Sequence, residues 1–258
     1  MGIIGRESPF RLVSPHSDYD TWEQNKKSAG ERGLLIKSII EQYVRCENLT
    51  ILNLGPDVAG IDKLFNPANE MVNYDCSYLR LKRHSDRDNN SRIEGDFLFL
   101  PFKNKSFDLI VIQNVLEQIS GIPKFLEGLN SILKTNSIIF LSTPNKFSLI
   151  NIISDPYSGL PFAALSTRGK KINHNFIRMF SLKRLKKYFY NLEFHLNTIQ
   201  SIRIMLDSEK IMDLSSHPKW LKFLRYTGLS NILLKIINNE EGIINSYLTP
   251  TFYVVLKN

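Results

Sequence analysis

Apolar residues recur at two different spacings along this chain, and the places where the spacing changes mark its elements. Ile36, Ile39, Ile40, Tyr43 and Val44 repeat at helical intervals. This predicts an amphipathic helix ending near Arg45, whose apolar stripe must pack against something downstream. From Leu49 the period shortens. Leu49-Thr50-Ile51-Leu52-Asn53-Leu54 reads as a strand stopped by the turn Gly55-Pro56-Asp57. Met71-Val72-Asn73-Tyr74, ending at Asp75, reads as a second strand. The connection between the two is long enough for a short helical crossover, and hence for parallel pairing. Arg92-Ile93-Glu94, Phe107 to Ile112 and Ser137 to Leu141 read as further strands, with a helix carrying Phe125, Leu126, Leu129, Ile132 and Leu133 between the last two. Near-continuous apolar strands alternating with amphipathic helices predict a sheet covered on both faces, the doubly wound α/β class.

Beyond Asn145 the pattern loosens through a loop with Pro156, Gly159 and Pro161. A basic amphipathic helix is expected from Leu182 to Tyr190, a strand from Phe194 to Ile204, and helices over Pro218 to Tyr226 and Asn231 to Ile237. Thr251 to Leu256 closes the chain as an apolar strand that returns to complete the sheet. At the other end, residues 1 to 19 mix proline and serine with few periodic apolar positions and read as an extended arm.

Composition narrows the function more than it names it. At 258 residues, 43% hydrophobic and 22% charged, the chain has the profile of a folded domain with a substantial core. Its formal charge of +8 invites an anionic partner. The basic residues, however, are scattered over Lys26-Lys27, Arg80-Lys82-Arg83, Arg168-Lys170-Lys171 and Lys183-Arg184-Lys186-Lys187, without the interleaved aromatics of single-strand binders, so solvated surface is the plainer reading. Cys46 and Cys76 form no CxxC pair and have no nearby histidine cluster, so no disulfide framework and no metal site is expected, which suits a reducing cytoplasm. No apolar run reaches the roughly 18 residues of a membrane span.

Ligands of such sheets bind where the strands end at their carboxyl side. The turn Asn53-Leu54-Gly55-Pro56-Asp57, then Asp75, Asp96, Gln113-Asn114 and Thr143-Pro144-Asn145 therefore become the positions of interest. Asp75 follows Gly55 by 20 residues, the separation at which a carboxylate accepts from both ribose hydroxyls of an adenosine-containing ligand. The competing reading of Asp75 is a cap for the segment that begins at Cys76. The turn Gly55-Pro56-Asp57-Val58-Ala59-Gly60 has neither GxGxxG nor GxxxxGK[ST], so no pyrophosphate cradle, and no nicotinamide dinucleotide, is expected.

Taken in order, these pieces resemble a known family. Ile51 to Gly55 resembles the first motif of class I S-adenosylmethionine (SAM)-dependent methyltransferases, and Asn73-Tyr74-Asp75-Cys76-Ser77 resembles their second strand end. Gly95-Asp96-Phe97-Leu98-Phe99-Leu100-Pro101-Phe102, followed by Ser106-Phe107-Asp108, is similar to the GD…LPF…SFD run of ubiquinone-biosynthesis-type methyltransferases, and Val115-Leu116-Glu117-Gln118 to their VLEH turn. The resemblance covers residues 49–145. It implies a seven-stranded Rossmann-like sheet with added helices between the last strands, SAM as cofactor, and methyl transfer to oxygen or nitrogen, less readily carbon, of a small organic acceptor. It also implies that Asp96 accepts from the adenine amino group with Phe97 against the ring, while Gln113 and the Gly55 backbone flank the methionine end. The chain departs from the family at Asn53, where an acid is usual, near Asp57, where a second glycine is usual, and at Gln118, where histidine is usual. Alternatives from other classes are a catalytically silent binding protein of the same fold and an RNA methyltransferase.

Residues 1–47 are then an arm and capping helix, and residues 48–258 the methyltransferase domain. Within the latter, residues 146–247 are expected to form a helical acceptor pocket or lid, because they carry Tyr157, Phe162, Phe176, Trp220, Phe223 and Tyr226. Sulfonium methyl transfer needs a base only for a protonated acceptor. His174 is the first candidate because it lies in that segment, and Glu117 the second; a surface histidine and a helix-start carboxylate are their ordinary readings.

Overall fold

The computed structural model describes residues 33–56, 60–82, 90–146, 179–190 and 251–257, and the backbone of 195–200. Asp57, His174, the arm over residues 1–19, the helices expected over 218–226 and 231–237, and most of the expected 146–247 lid lie outside the described residues.

Helix α1 spans residues 33–40 and places Ile36, Ile39 and Ile40 inside the protein. It stops short of the expected end near Arg45. Gln42 N–H and Tyr43 N–H donate to the carbonyls of Ile39 and Ile40, three residues back, so the chain tightens into a turn while its apolar spacing continues. The alternation that follows is β1 (Thr50–Leu54), α2 (Ile61–Leu64), β2 (Glu70–Asp75), α3 (Tyr78–Leu81), β3 (Asn90–Glu94), β4 (Phe107–Gln113), α4 (Ile122–Ile132) and β5 (Leu133–Pro144). Helix α5 (Leu182–Tyr190) and strands β6 (His195–Gln200) and β7 (Thr251–Lys257) complete the described elements. Leu133, expected on the helix face, instead opens β5, because its extended backbone (φ −76°, ψ 137°) ends α4 without a loop.

The strands form one seven-stranded sheet in the order β3-β2-β1-β4-β5-β7-β6. Strands β1 to β5 pair in parallel, and β7 runs antiparallel to both β5 and β6. The chain builds outward from β1 through β2 to β3, then returns to add β4 on the other side of β1. Strand order therefore reverses between β1 and β4, and the connections leaving the carboxyl ends of those two strands diverge to leave a crevice.

Both faces are buried, as the uninterrupted apolar strands require. On one face Leu52, Leu54, Ile110, Ile112 and Leu141 pack against Phe125, Leu126 and Leu129 of α4 and Leu185 and Phe189 of α5. On the other, Ile51, Met71, Leu109, Val111 and Phe140 pack against the three isoleucines of α1. Pro123 in the first turn of α4 is tolerated because no intrahelical partner awaits its missing N–H.

Gly55 ends β1 with φ +64°, and a β-carbon placed there would lie 2.1 Å from Cγ2 of Val115. Side chains resist that left-handed backbone, and the Val115 methyl already fills the space. Gly55→Ala is expected to destabilise the protein by about 2 kcal/mol, read by urea denaturation, with part of the loss restored by adding Val115→Ala. A single variant as stable as the parent would show that the turn relaxes freely.

Candidate functional site

Strand register sets which polar residues meet at the crevice. β1 and β2 pair with Asn53 opposite Asn73 and Leu54 opposite Tyr74. β1 and β4 pair with Asn53 opposite Val111 and Leu54 opposite Ile112, so Gln113 lies just beyond the paired positions at the end of β4. Side chains alternate along a strand. Asn53, Asn73, Asp75 and Gln113 thus share the face of Ile51, Met71, Leu109 and Val111, on three adjacent strands, at their carboxyl ends.

These side chains are buried and linked. Asn53 Nδ2 donates to Asn73 Oδ1 at 2.8 Å, and Gln113 Nε2 donates to Asn53 Oδ1 at a long 3.4 Å. Asn53, Asn73 and Gln113 are 1%, 0% and 4% exposed. Two ends of this chain, Asn73 Nδ2 and Gln113 Oε1, have no hydrogen-bond partner among the described residues. A buried polar atom without a partner costs about 1–3 kcal/mol, so each such end marks either a local strain or a place where a ligand atom belongs.

Asp75 is fully buried at the end of β2. Its Oδ1 accepts from Ser77 N–H at 2.8 Å, and Arg80 of α3 approaches Oδ2 at 3.9 Å. This is the i to i+2 bond of a turn residue: the N-cap of α3 is Ser77, so Asp75 does not cap the helix as the alternative reading expected, and the Arg80 guanidinium is set against its carboxylate. Burial, and next the Asp75 charge, push the neighbouring Cys76 thiol up to about 11. Gly55 N–H donates to Tyr74 carbonyl at 2.9 Å, continuing the β1–β2 ladder. Gly55 thus contributes a turn to the crevice, while its own donor faces β2.

One strand further out, the turn after β3 carries Asp96 and Phe97. Asp96 Oδ1 accepts from Leu98 N–H at 2.9 Å, the side-chain-to-backbone bond of a turn residue. Phe97 is buried, with its ring set at an angle to Tyr74, centroids 6.0 Å apart. The Tyr74 hydroxyl holds this turn in place, 3.0 Å from the carbonyl oxygens of both Asp96 and Phe99. Gly95 must lack a side chain because a β-carbon would lie 2.1 Å from that hydroxyl.

Glu117 lies apart from this group. It falls in a short 3-10 turn, Leu116–Gln118, is fully buried, and accepts from Thr143 Oγ1 at 3.1 Å. Thr143 shares the sheet face of Ile139 and Leu141, opposite to that of Asn53 and Gln113. Gln118 donates through Nε2 to Asn114 carbonyl at 2.6 Å, bracing the same turn. Among the described residues no group of three histidine, cysteine or acidic side chains could hold a metal ion, and no helix is long and apolar enough to cross a membrane. Cys46 and Cys76 are both free.

The residue that sequence reasoning missed is Asn73. Its signal was available: Asn53 to Asn73 is the same 20-residue step as Gly55 to Asp75, and that step is the β1–β2 register itself.

A parallel sheet with a reversal between β1 and β4, an antiparallel seventh strand inserted beside β5, and polar acceptors at the reversal define the class I methyltransferase architecture. The family model described as a methyltransferase domain matches residues 38–198, and the chain belongs to this family of SAM-dependent methyltransferases. Solved structures share the fold at low identity. A SAM-dependent methyltransferase from Archaeoglobus fulgidus aligns at TM-score 0.61 and 15% identity over 93% of this chain and 100% of its own. A chain of the complex between the Haloferax volcanii Trm112 methyltransferase activator and its candidate methyltransferase aligns at 0.62 and 17%, over 95% and 97%. The [4+2]-cyclase SpnF aligns at 0.53 and 12%, over 88% and 80%. None of the curated proteins searched matches the chain.

Burial raises the Tyr74 phenol from its ordinary value to about 12, assisted by the Asp96 charge. An unfolded tyrosine loses its proton near pH 10, so between about pH 10 and 12 the folded state holds a proton that the unfolded state has released. Stability present below that window is therefore lost as pH rises through it. Tyr74→Phe is expected to cost about 1 kcal/mol at neutral pH, from the lost hydrogen bond, and to flatten this alkaline decline. Equal slopes for the two proteins in urea denaturation at alkaline pH would contradict the assignment.

Proposed function

We propose that the protein binds SAM across the carboxyl ends of β1, β2 and β4 and transfers its methyl group to oxygen or nitrogen of a small organic acceptor. The observation that carries the reading is the buried, unpartnered acceptor Gln113 Oε1 at the strand reversal, on the same face as the Asp75 carboxylate. The donor set fits SAM: Asp75 accepts from the ribose hydroxyls, Gln113 accepts from the α-ammonium, and the turn at Asp96 meets the adenine with its second carboxylate oxygen. Asn53 has both ends of its amide engaged inside the protein and acts on the ligand through Gln113. Asp57, two residues after Gly55 in the sequence, adds a carboxylate to the methionine end.

Bound SAM supplies an electrophilic methyl group, and the protein's task is to hold an acceptor in line with it and to exclude water. His174 is the proposed base for a protonated acceptor. Glu117, sealed against Thr143, braces the turn after β4 on the opposite face. The acceptor is enclosed by the aromatic-rich residues 146–247, and the scattered basic charge serves solubility rather than RNA binding. Two free thiols suit the cytoplasm. Because one neighbour in fold comes from a complex with an activator protein, a partner that stimulates the reaction is a further element of this reading.

Calorimetric titration with SAM, its demethylated product and NAD tests the cofactor. The product and SAM are expected to bind and NAD is not. Asp75→Ala is expected to weaken product binding at least about tenfold, since a hydrogen bond to a charged group is worth about 1.5–3 kcal/mol. A folded protein with affinity for neither SAM nor its product contradicts the function. Unchanged affinity in a folded Asp75→Ala variant shows that Asp75 serves only Ser77 and Arg80.

A further inference from the structure

We infer that Asn73 is a positioning residue for the ammonium end of the cofactor and acts through Asn53 on Gln113. The inference rests on the reading that this site takes SAM.

A side-chain amide has a donating end and an accepting end, so amides bonded in series share one direction. Here Asn53 Nδ2 donates to Asn73 Oδ1, Gln113 Nε2 donates to Asn53 Oδ1, and Gln113 Oε1 is left as the outermost acceptor. If Asn73 turned over, Asn53 and Gln113 would have to turn with it, and Gln113 would then offer N–H groups to the crevice. The direction shown presents a carbonyl oxygen, which suits a cation. The reverse suits an anion. From the neighbouring strand, Asn73 supplies the acceptor for Asn53 Nδ2 that lets Asn53 and Gln113 hold the direction shown.

Three features make the relay a device rather than a chance contact. Asn53 and Asn73 are directly opposite in the β1–β2 ladder, so their spacing is fixed by register. All three side chains are at least nine-tenths buried, where an amide direction is not scrambled by water. Among the described residues both terminal atoms lack partners, so neither direction is held there by a further bond at the ends. A charged ligand atom at Gln113 can then decide between them, and the relay polarises as it does so.

The test uses calorimetry with two probes, the demethylated product S-adenosylhomocysteine and its analogue lacking the α-amino group. The parent is expected to prefer the amino-bearing ligand. Asn73→Val, which suits a strand and removes the fixing acceptor, is expected to weaken the product about tenfold while leaving the analogue unchanged. Asn73→Asp retains the acceptor for Asn53 Nδ2 and is expected to preserve the preference. Equal losses for both ligands in Asn73→Val, or loss of the preference in Asn73→Asp as well, overturn the relay and make Asn73 structural.

A parent that binds both probes equally overturns the relay alone. A parent that binds neither overturns the cofactor reading together with it. Should Asn73→Val not fold, the side-chain amide NMR resonances of the parent decide. The Asn73 resonance is expected to move on adding the product and to stay in place with the analogue, and a resonance indifferent to the amino group overturns the proposal.

Discussion

Strand β1 is hydrogen-bonded along both edges and covered on both faces, and the rest of the structure depends on that confinement. A strand so placed cannot slip by one residue without turning Ile51 and Asn53 toward the face of Leu52 and Leu54, which would bury amides against α4 and move leucines onto α1. Its register with β2 and β4 is thereby fixed. Fixed register puts Asn73, Asn53 and Gln113 on one face, within reach of one another, beyond the apolar Ile51, Met71, Leu109 and Val111 of the same strands. The apolar packing supplies the stability, and it also removes the water that would blur the hydrogen bonds of the site.

The same confinement explains why charge is handled so locally. Asp75 is buried, but Ser77 N–H and the Arg80 guanidinium meet it within five residues of chain. The turn after β3 is held by the Tyr74 hydroxyl from below, in space that Gly95 leaves open. The polar groups at the crevice are thus braced by neighbouring strands or by the chain that directly follows them.

The strands were legible because apolar runs between turns admit few other readings, and Phe107 to Ile112 and Thr251 to Leu256 fall within strands of the structure. Ends were less legible. Helix α1 tightens at Gln42 and Tyr43 although its apolar spacing runs on to Val44, since periodicity records which face is buried and not which carbonyl each N–H chooses. Leu133 satisfied the helix pattern and belongs to β5. At the crevice, the 20-residue step from Gly55 to Asp75 is first a strand register. Read as register it also yields Asn73. The turn bonds of Asp75 and Asp96 and the bond from Thr143 to Glu117 are contacts that spacing alone does not disclose.

On this proposal the carboxyl ends of β1, β2 and β4 form a SAM site in which buried neutral amides meet the methionine end and the Asp75 carboxylate meets the ribose. A crystal structure of the protein with the demethylated product tests it most directly. The account predicts the ribose hydroxyls at Asp75 and the α-amino group at Gln113 Oε1, with the Asn73–Asn53–Gln113 bonds kept in their present direction. A product bound elsewhere, or bound with Gln113 turned away and its carbonyl met by water, would contradict it.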